Sequence, residues 1–132
     1  CFLNTLHYVH HILKWPLNYY KHVITPLPFE EIEEREDRDI LIAIRQALSH
    51  LEINGPNTVI GVLPDGQMMT CCDSKKLRPV VVGSNENMVA ISSEVCGLNE
   101  IMPDRDPTTD IYPNEREVVV IDNDLQVKRW KQ

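Results

Sequence analysis

The residue pattern predicts an α+β protein, an antiparallel β-sheet with helices packed on it. Three observations carry that expectation. Apolar residues recur at spacings of three and four through the first third of the chain, which is the helical period. Beyond residue 54 they gather instead into short β-branched runs separated by Gly, Pro and Asx turns, the punctuation of hairpins. Helices come first and strands after, without the alternation that builds a parallel sheet. At 132 residues the chain has room for one domain, residues 1–132, helical over 1–53 and made of β-hairpins over 54–132.

Phe2, Leu3, Leu6, Val9, His10 and Leu13 form the first apolar stripe. Trp15-Pro16 stops or kinks that helix, because proline lacks the backbone donor and clashes with the preceding turn. A second short helix is expected through Leu17, Tyr20, His22, Val23 and Ile24, ending at Thr25-Pro26. Pro28 followed by Glu30 and Glu31 reads as a helix start, with acids where the dipole favours negative charge. From Glu30 to Asp39 seven acids stand against Arg35 and Arg38. A solvated face is the plain reading of such a run. Ile40, Leu41, Ile44, Ala47, Leu48 and Leu51 make the cleanest amphipathic stripe of the chain, and they predict a helix.

After Asn54-Gly55-Pro56 the period changes. Thr58 to Leu63, the turn Pro64-Asp65-Gly66, and Gln67 to Cys72 read as the first hairpin. Arg78-Pro79-Val80-Val81-Val82 is a third strand, Gly83 to Asn87 a turn, and Met88 to Ser93 a fourth strand. A polar, proline-bearing stretch from Asn99 to Asn114 leads into Glu117-Val118-Val119-Val120-Ile121. Asp122-Asn123-Asp124 turns that strand into Leu125 to Trp130.

Composition narrows the function. The formal net charge of −7 argues against nucleic acid, because phosphate binding needs a clustered Lys/Arg footprint. It argues equally against an anionic membrane surface. No apolar run approaches the roughly 20 residues that span a bilayer, and no basic segment precedes an apolar core at the N-terminus, so no secretory signal is read there. The four cysteines form no CxxC pair, which removes the usual zinc and redox motifs. Cys71 and Cys72, adjacent within a strand, are expected on opposite faces as reduced, buried thiols. A reducing cytoplasm is the matching compartment.

From Asp73 onward an ordered set of segments stands out. Asp73-Ser74-Lys75-Lys76-Leu77-Arg78-Pro79 leads into Val80-Val81-Val82-Gly83. Ala90-Ile91-Ser92-Ser93-Glu94-Val95-Cys96-Gly97-Leu98 follows, and then Glu117-Val118-Val119-Val120-Ile121-Asp122. In order, spacing and strand context this set resembles the class II glutamine amidotransferase family, over about half the chain. The wording Ser-Glu-Val-Cys-Gly-Leu, Pro103-Asp104-Arg105-Asp106 and Val127-Lys128-Arg129-Trp130-Lys131 is similar to the amidotransferase part of glutamate synthases. The resemblance implies the αββα sandwich of an N-terminal-nucleophile (Ntn) hydrolase, of which this chain would be the C-terminal portion.

It also implies the chemistry. In the family a leading cysteine attacks the glutamine amide while its own α-amino group, which ordinarily titrates near about pH 8, serves as base. Backbone and Asn donors hold the oxyanion, and an arginine and an aspartate hold the substrate. Those groups precede the region matched here, so no catalytic, substrate-binding or metal residue is expected in this chain, and no cofactor. The implied partners are the N-terminal amidotransferase half and a glutamate synthase-type synthase domain or subunit carrying FMN and an iron–sulfur cluster. Self-association through an exposed sheet edge is a further expectation. Cys1 invites a nucleophile reading, but Phe2-Leu3-Asn4 continues it into a helical stripe rather than a buried strand. Asn54-Gly55-Pro56 is expected to be a turn rather than an oxyanion hole.

Other constellations are weaker. His7, His10 and His11 lie at i, i+3 and i+4 without an intervening Glu or an evident distant ligand, which favours a helix face over a zinc site. Asp104, Asp106, Thr108, Asp110, Tyr112 and Glu115 match calcium-loop offsets, but Thr109 stands where the loop needs Gly. Arg78 and Glu94 are the structural candidates: an Arg beside a strand-starting proline and an acid ending the next strand could pin a hairpin together. Ser92 and Ser93 have no His/Asp partner nearby in sequence. A non-enzymatic α+β interaction module on the same fold is the alternative to an amidase fragment.

Overall fold

A computed structural model describes residues 2–50 and 55–131. The chain divides into two compact units, Cys1–Gly55 and Pro56–Gln132. That division falls where the apolar period changes.

The first unit is helical in short pieces. Helix α1 spans Phe2–Leu6 and continues as a π-helical turn over His7–Ile12. Leu13 N–H donates to the Tyr8 carbonyl and Trp15 N–H to the Val9 carbonyl, spans wider than the α-helical i→i−4. Of the expected stripe, Leu6 and Val9 are buried while Leu3 is 77% exposed. Lys14 at φ 58° ends the segment before Pro16 does. A 3₁₀ turn, Leu17–Tyr20, runs into α2, Lys21–Ile24, and the Tyr20 hydroxyl donates to the Phe2 carbonyl at 2.8 Å. Pro28 caps α3, Phe29–Ile32. Helix α4 spans Arg38–Ala47 and buries Leu41 and Ile44; Leu51 lies outside the described residues. The acids between Glu30 and Asp39 are exposed except Asp37, which Arg35 holds at 2.7 Å. Arg45 donates to the Leu27 carbonyl and lies 4.2 Å over the Phe29 ring.

The second unit holds the sheets. Strands β1 (Thr58–Val62), β2 (Met68–Cys72), β5 (Val118–Ile121) and β6 (Val127–Trp130) form one antiparallel sheet in the order β1-β2-β5-β6. Strands β3 (Val81–Ser84) and β4 (Val89–Ser92) form a separate two-stranded sheet. Every residue of β5 is buried, as expected of a near-continuous apolar run at the centre of a sheet. Alternate side chains then sort by face. Val82 and Val89 of the small sheet pack with Val119 and Ile121 of the large one, joined by Met68, Ile91, Ile111 and Val127. The other face of the small sheet, Val81 and Ala90, packs against Leu98, Met102 and Val95. The layers are therefore sheet, sheet, helix. This is an α+β architecture with antiparallel sheets.

Two expectations are corrected. Val95–Ile101 is a helix, α5, where the sequence reads as the approach to an irregular connection. Gly83 is a strand residue rather than the start of a turn. A Cβ on it would meet Leu98 Cδ1 at 2.7 Å and Asp110 Oδ1 at 3.1 Å, so its place is set by the close approach of α5 and the 110 loop.

Candidate functional site

One cluster of polar groups in the second unit, built round Glu117 and Asp73, lies at the end of the four-stranded sheet remote from its hairpin turns. Register builds this cluster. Val119 of β5 pairs with Arg129 of β6, and Glu117, two residues earlier, shares that face. Arg129 therefore meets Glu117: Nε donates to Oε1 at 2.5 Å and Nη2 to Oε2 at 3.0 Å. The Asn114 backbone N–H adds a bond to Oε2 at 2.7 Å. Glu117 is fully buried. Burial by itself would raise its carboxyl, but the bonds from Arg129 and Asn114 outweigh it and hold the group below the ordinary carboxylate range. The same pairing raises the Arg129 guanidinium.

Asp73 joins the neighbouring loops. Its Oδ2 accepts the Asn57 N–H at 3.0 Å, its N–H donates to the Asn57 carbonyl, and its own carbonyl accepts the Arg116 N–H. Cys72, beside it, is buried, and that burial pushes its thiol up, away from the thiolate form a nucleophile needs. The carboxylate of Glu117 is likewise saturated by donors, which suits fastening rather than proton transfer. Chemically, this cluster ties the strand ends and loops together.

The residues singled out in the sequence separate in space. Arg78 is exposed, and its carbonyl accepts a bond from Thr58 Oγ1 at 3.1 Å. Glu94 caps α5 rather than ending a strand, and its Oε2 accepts the Cys96 thiol at 3.4 Å. Arg78 and Glu94 form no ion pair with each other. Ser92 Oγ donates to the Glu94 carbonyl at 2.8 Å, within the same turn. Cys71, Cys72 and Cys96 are free thiols, the first two buried. Cys1 and Asn54 lie outside the described residues.

The histidines divide as well. His10 Nδ1 donates to the Trp15 carbonyl at 3.1 Å, while His7 and His11 stack with centroids 4.9 Å apart. In the loop with calcium-like offsets each aspartate has its own protein donor. Asp104 accepts from Asn85, Asp106 from Thr108, and Asp110 from Arg105 through two bonds of 2.9 Å. Among the described residues no group of three His, Cys, Asp or Glu side chains is placed to hold a metal ion. No described helix is long and apolar enough to cross a membrane.

Sequence reasoning missed two ion pairs, Arg105–Asp110 and Glu117–Arg129. The Arg105–Asp110 side chains are 1% and 0% exposed, and the Asp110 carboxylate raises the guanidinium by its hydrogen bonds. For Glu117–Arg129 a signal was present: an acid directly before a four-residue apolar run, and an Arg on the returning strand, at positions sharing a face once the turn is drawn.

An uncharacterised protein of Archaeoglobus fulgidus is 27% identical to this chain over 93 residues, which is 69% of this chain and 24% of that protein. The matched part is thus about a quarter of that relative's length. No family model matches the chain, and no solved structure matches it.

Proposed function

We propose that this chain is the C-terminal portion of a class II glutamine amidotransferase domain of the Ntn-hydrolase type, close to those of glutamate synthases. One observation carries the reading: the ordered segments of the resemblance coincide with a layered unit of two facing antiparallel sheets. Leu77-Arg78-Pro79 leads into β3, Ala90 to Leu98 spans β4 into α5, and Glu117 to Asp122 spans β5. Sheet against sheet with a helix outside supports the reading, because an αββα sandwich would need such layers. The parent protein would hydrolyse glutamine to glutamate and ammonia, and a synthase partner bearing FMN and an iron–sulfur cluster would combine that ammonia with 2-oxoglutarate. The nucleophile and substrate clamps would reside in a preceding segment.

The outer edge of β1 favours this reading over a self-sufficient interaction module. Ile60 and Val62, on one face of that strand, are 48% and 71% exposed, and the strand has no charged residue or proline. Free-standing sheets usually guard such edges; a piece of a larger sandwich leaves them for the rest of the fold.

The test is ammonia release from glutamine. The purified 132-residue chain is expected to release none, and the gene that encodes it is expected to encode a leading Cys-Gly and an Asn-Gly loop upstream. Glutaminase activity in the chain alone, lost on Cys1→Ala, would overturn the proposal, as would an upstream sequence without those groups.

A further inference from the structure

The amidotransferase reading leaves one group of side chains in the helical unit without a role. The π-helical turn covers His7–Ile12, and His7, His10 and His11 all lie in it. Turns of this width are rare in proteins and recur at functional sites. His10 is occupied, since its Nδ1 bonds the Trp15 carbonyl. His7 and His11 are both exposed. Apart from each other, their rings have no hydrogen bond or ion pair among the described residues. Their centroids lie 4.9 Å apart, with 24° between the planes. No Asp or Glu occurs in the chain before Glu30, so the donors that this turn offers are nitrogens.

The ring separation is that of a chelate. Imidazole nitrogens bind a transition-metal ion at about 2.0–2.1 Å, which puts two rings on one ion with centroids about 4.5–5.2 Å apart for nitrogen–metal–nitrogen angles of roughly 90–110°. The observed 4.9 Å falls inside that window. Near-parallel planes do not aim both nitrogens at one point, but rotation about χ2, a broad torsion in histidine and open to an exposed ring, brings them there. We infer that His7 and His11 form a two-imidazole site for a divalent transition-metal ion of the zinc, nickel and copper class. Nitrogen donors without carboxylates favour these ions over calcium or magnesium, which take oxygen ligands. Among the described residues no further His, Cys, Asp or Glu completes a metal-holding group with the pair. Water therefore fills the remaining positions, and the ion exchanges rather than holding the fold together. The inference is independent of glutamine hydrolysis.

The test titrates the full chain with zinc chloride at about pH 7.5, above the ordinary histidine range, following imidazole nitrogen shifts by NMR, with magnesium chloride at matched ionic strength as the control. Saturable shifts at both His7 and His11 are expected with zinc and none with magnesium. The second imidazole binds as an intramolecular event, so His7→Gln and His11→Gln should each weaken zinc binding at least about tenfold. His50→Gln, an exposed histidine elsewhere in the same unit, should leave it unchanged. Circular dichroism should show the same helix content in every variant, because the substituted side chains are exposed. Zinc shifts missing from either ring, binding centred on His10 or Cys96 alone, or unchanged affinity in His7→Gln would each overturn the site.

Discussion

The two hairpins of the large sheet turn in the same way but finish differently. In the first, Gly66 N–H closes on the Leu63 carbonyl, Leu63 N–H reaches the Gln67 carbonyl, and Gly66 takes φ 92°. In the second, Leu125 N–H closes on the Asp122 carbonyl, Asp122 N–H reaches the Gln126 carbonyl, and Leu125 takes φ 62°. Each is a three-residue loop whose last residue needs a left-handed step. Glycine supplies that step without strain in one; leucine bears it in the other. The Asn123 amide then donates to the Asp65 carbonyl at 2.8 Å, joining the two turns. Loop length and Asx bonding therefore impose the geometry, and glycine only relieves it. The strands differ too. Strand β1 leaves an uncharged edge, whereas β6 carries Lys128, paired to Asp122 at 3.2 Å, and Arg129, paired to Glu117.

The largest way to break the comparison is at the ion pair of the second hairpin. Arg129→Met removes two charge-assisted bonds from a buried carboxylate and should destabilise the protein by ~2 kcal/mol in urea unfolding. A protein unchanged in midpoint would mean that Asn114 alone suffices for Glu117. The pH dependence follows from the same group. Because the folded Glu117 carboxyl lies below its ordinary value of 4.5, its contribution is present above that value and is lost as pH falls through the lower folded value. Glu117→Gln should therefore flatten the acid limb of the stability curve below about pH 4.5, measured as thermal midpoint against pH.

Smaller effects test the turns. Gly66→Ala forces a side chain into positive φ and against Asn123 Oδ1 at 2.7 Å, and should cost about 1–2 kcal/mol. Leu125→Gly should do the opposite and stabilise by roughly 1 kcal/mol. If both substitutions destabilise, the left-handed step is not the shared element of the two hairpins. At the free edge, Ile60→Lys should change stability by less than about 0.5 kcal/mol while reducing self-association in sedimentation, the sign that β1 is an unguarded edge rather than a core strand.

Legibility in the sequence follows the range of the interactions. The Pro64-Asp65-Gly66 and Asp122-Asn123-Asp124 turns, the strands they join and the buried thiols of Cys71 and Cys72 were readable, because turn chemistry and the two-residue period act between near neighbours. The start of α3 after Pro28 and the buried stripe of α4 were readable for the same reason. Helix α5 was not. Val95, Cys96, Gly97 and Asn99 are weak helix formers, and the helix stands because Leu98 and Met102 are fully buried against the small sheet. Gly97 is needed there, since a Cβ would meet Ser92 Oγ at 2.6 Å. The π-turn at His7–Ile12 was hidden as well: apolar spacings of three and four suit an α-helix, and only the hydrogen bonds distinguish the wider turn.

By itself, the order of residues determined the fold class, the change from helix to hairpin near residue 54, and where the strands reverse. These are written in local period and in the conformational limits of Gly, Pro and Asx. Only the tertiary structure decided that two sheets face each other across Val82, Val89, Val119 and Ile121, and that Glu117 meets Arg129. It also decided that Arg105 is enclosed with Asp110. The reason is physical: a buried charge must find a partner, but which partner it finds depends on register and on the approach of layers, and neither is encoded in any single stretch of chain.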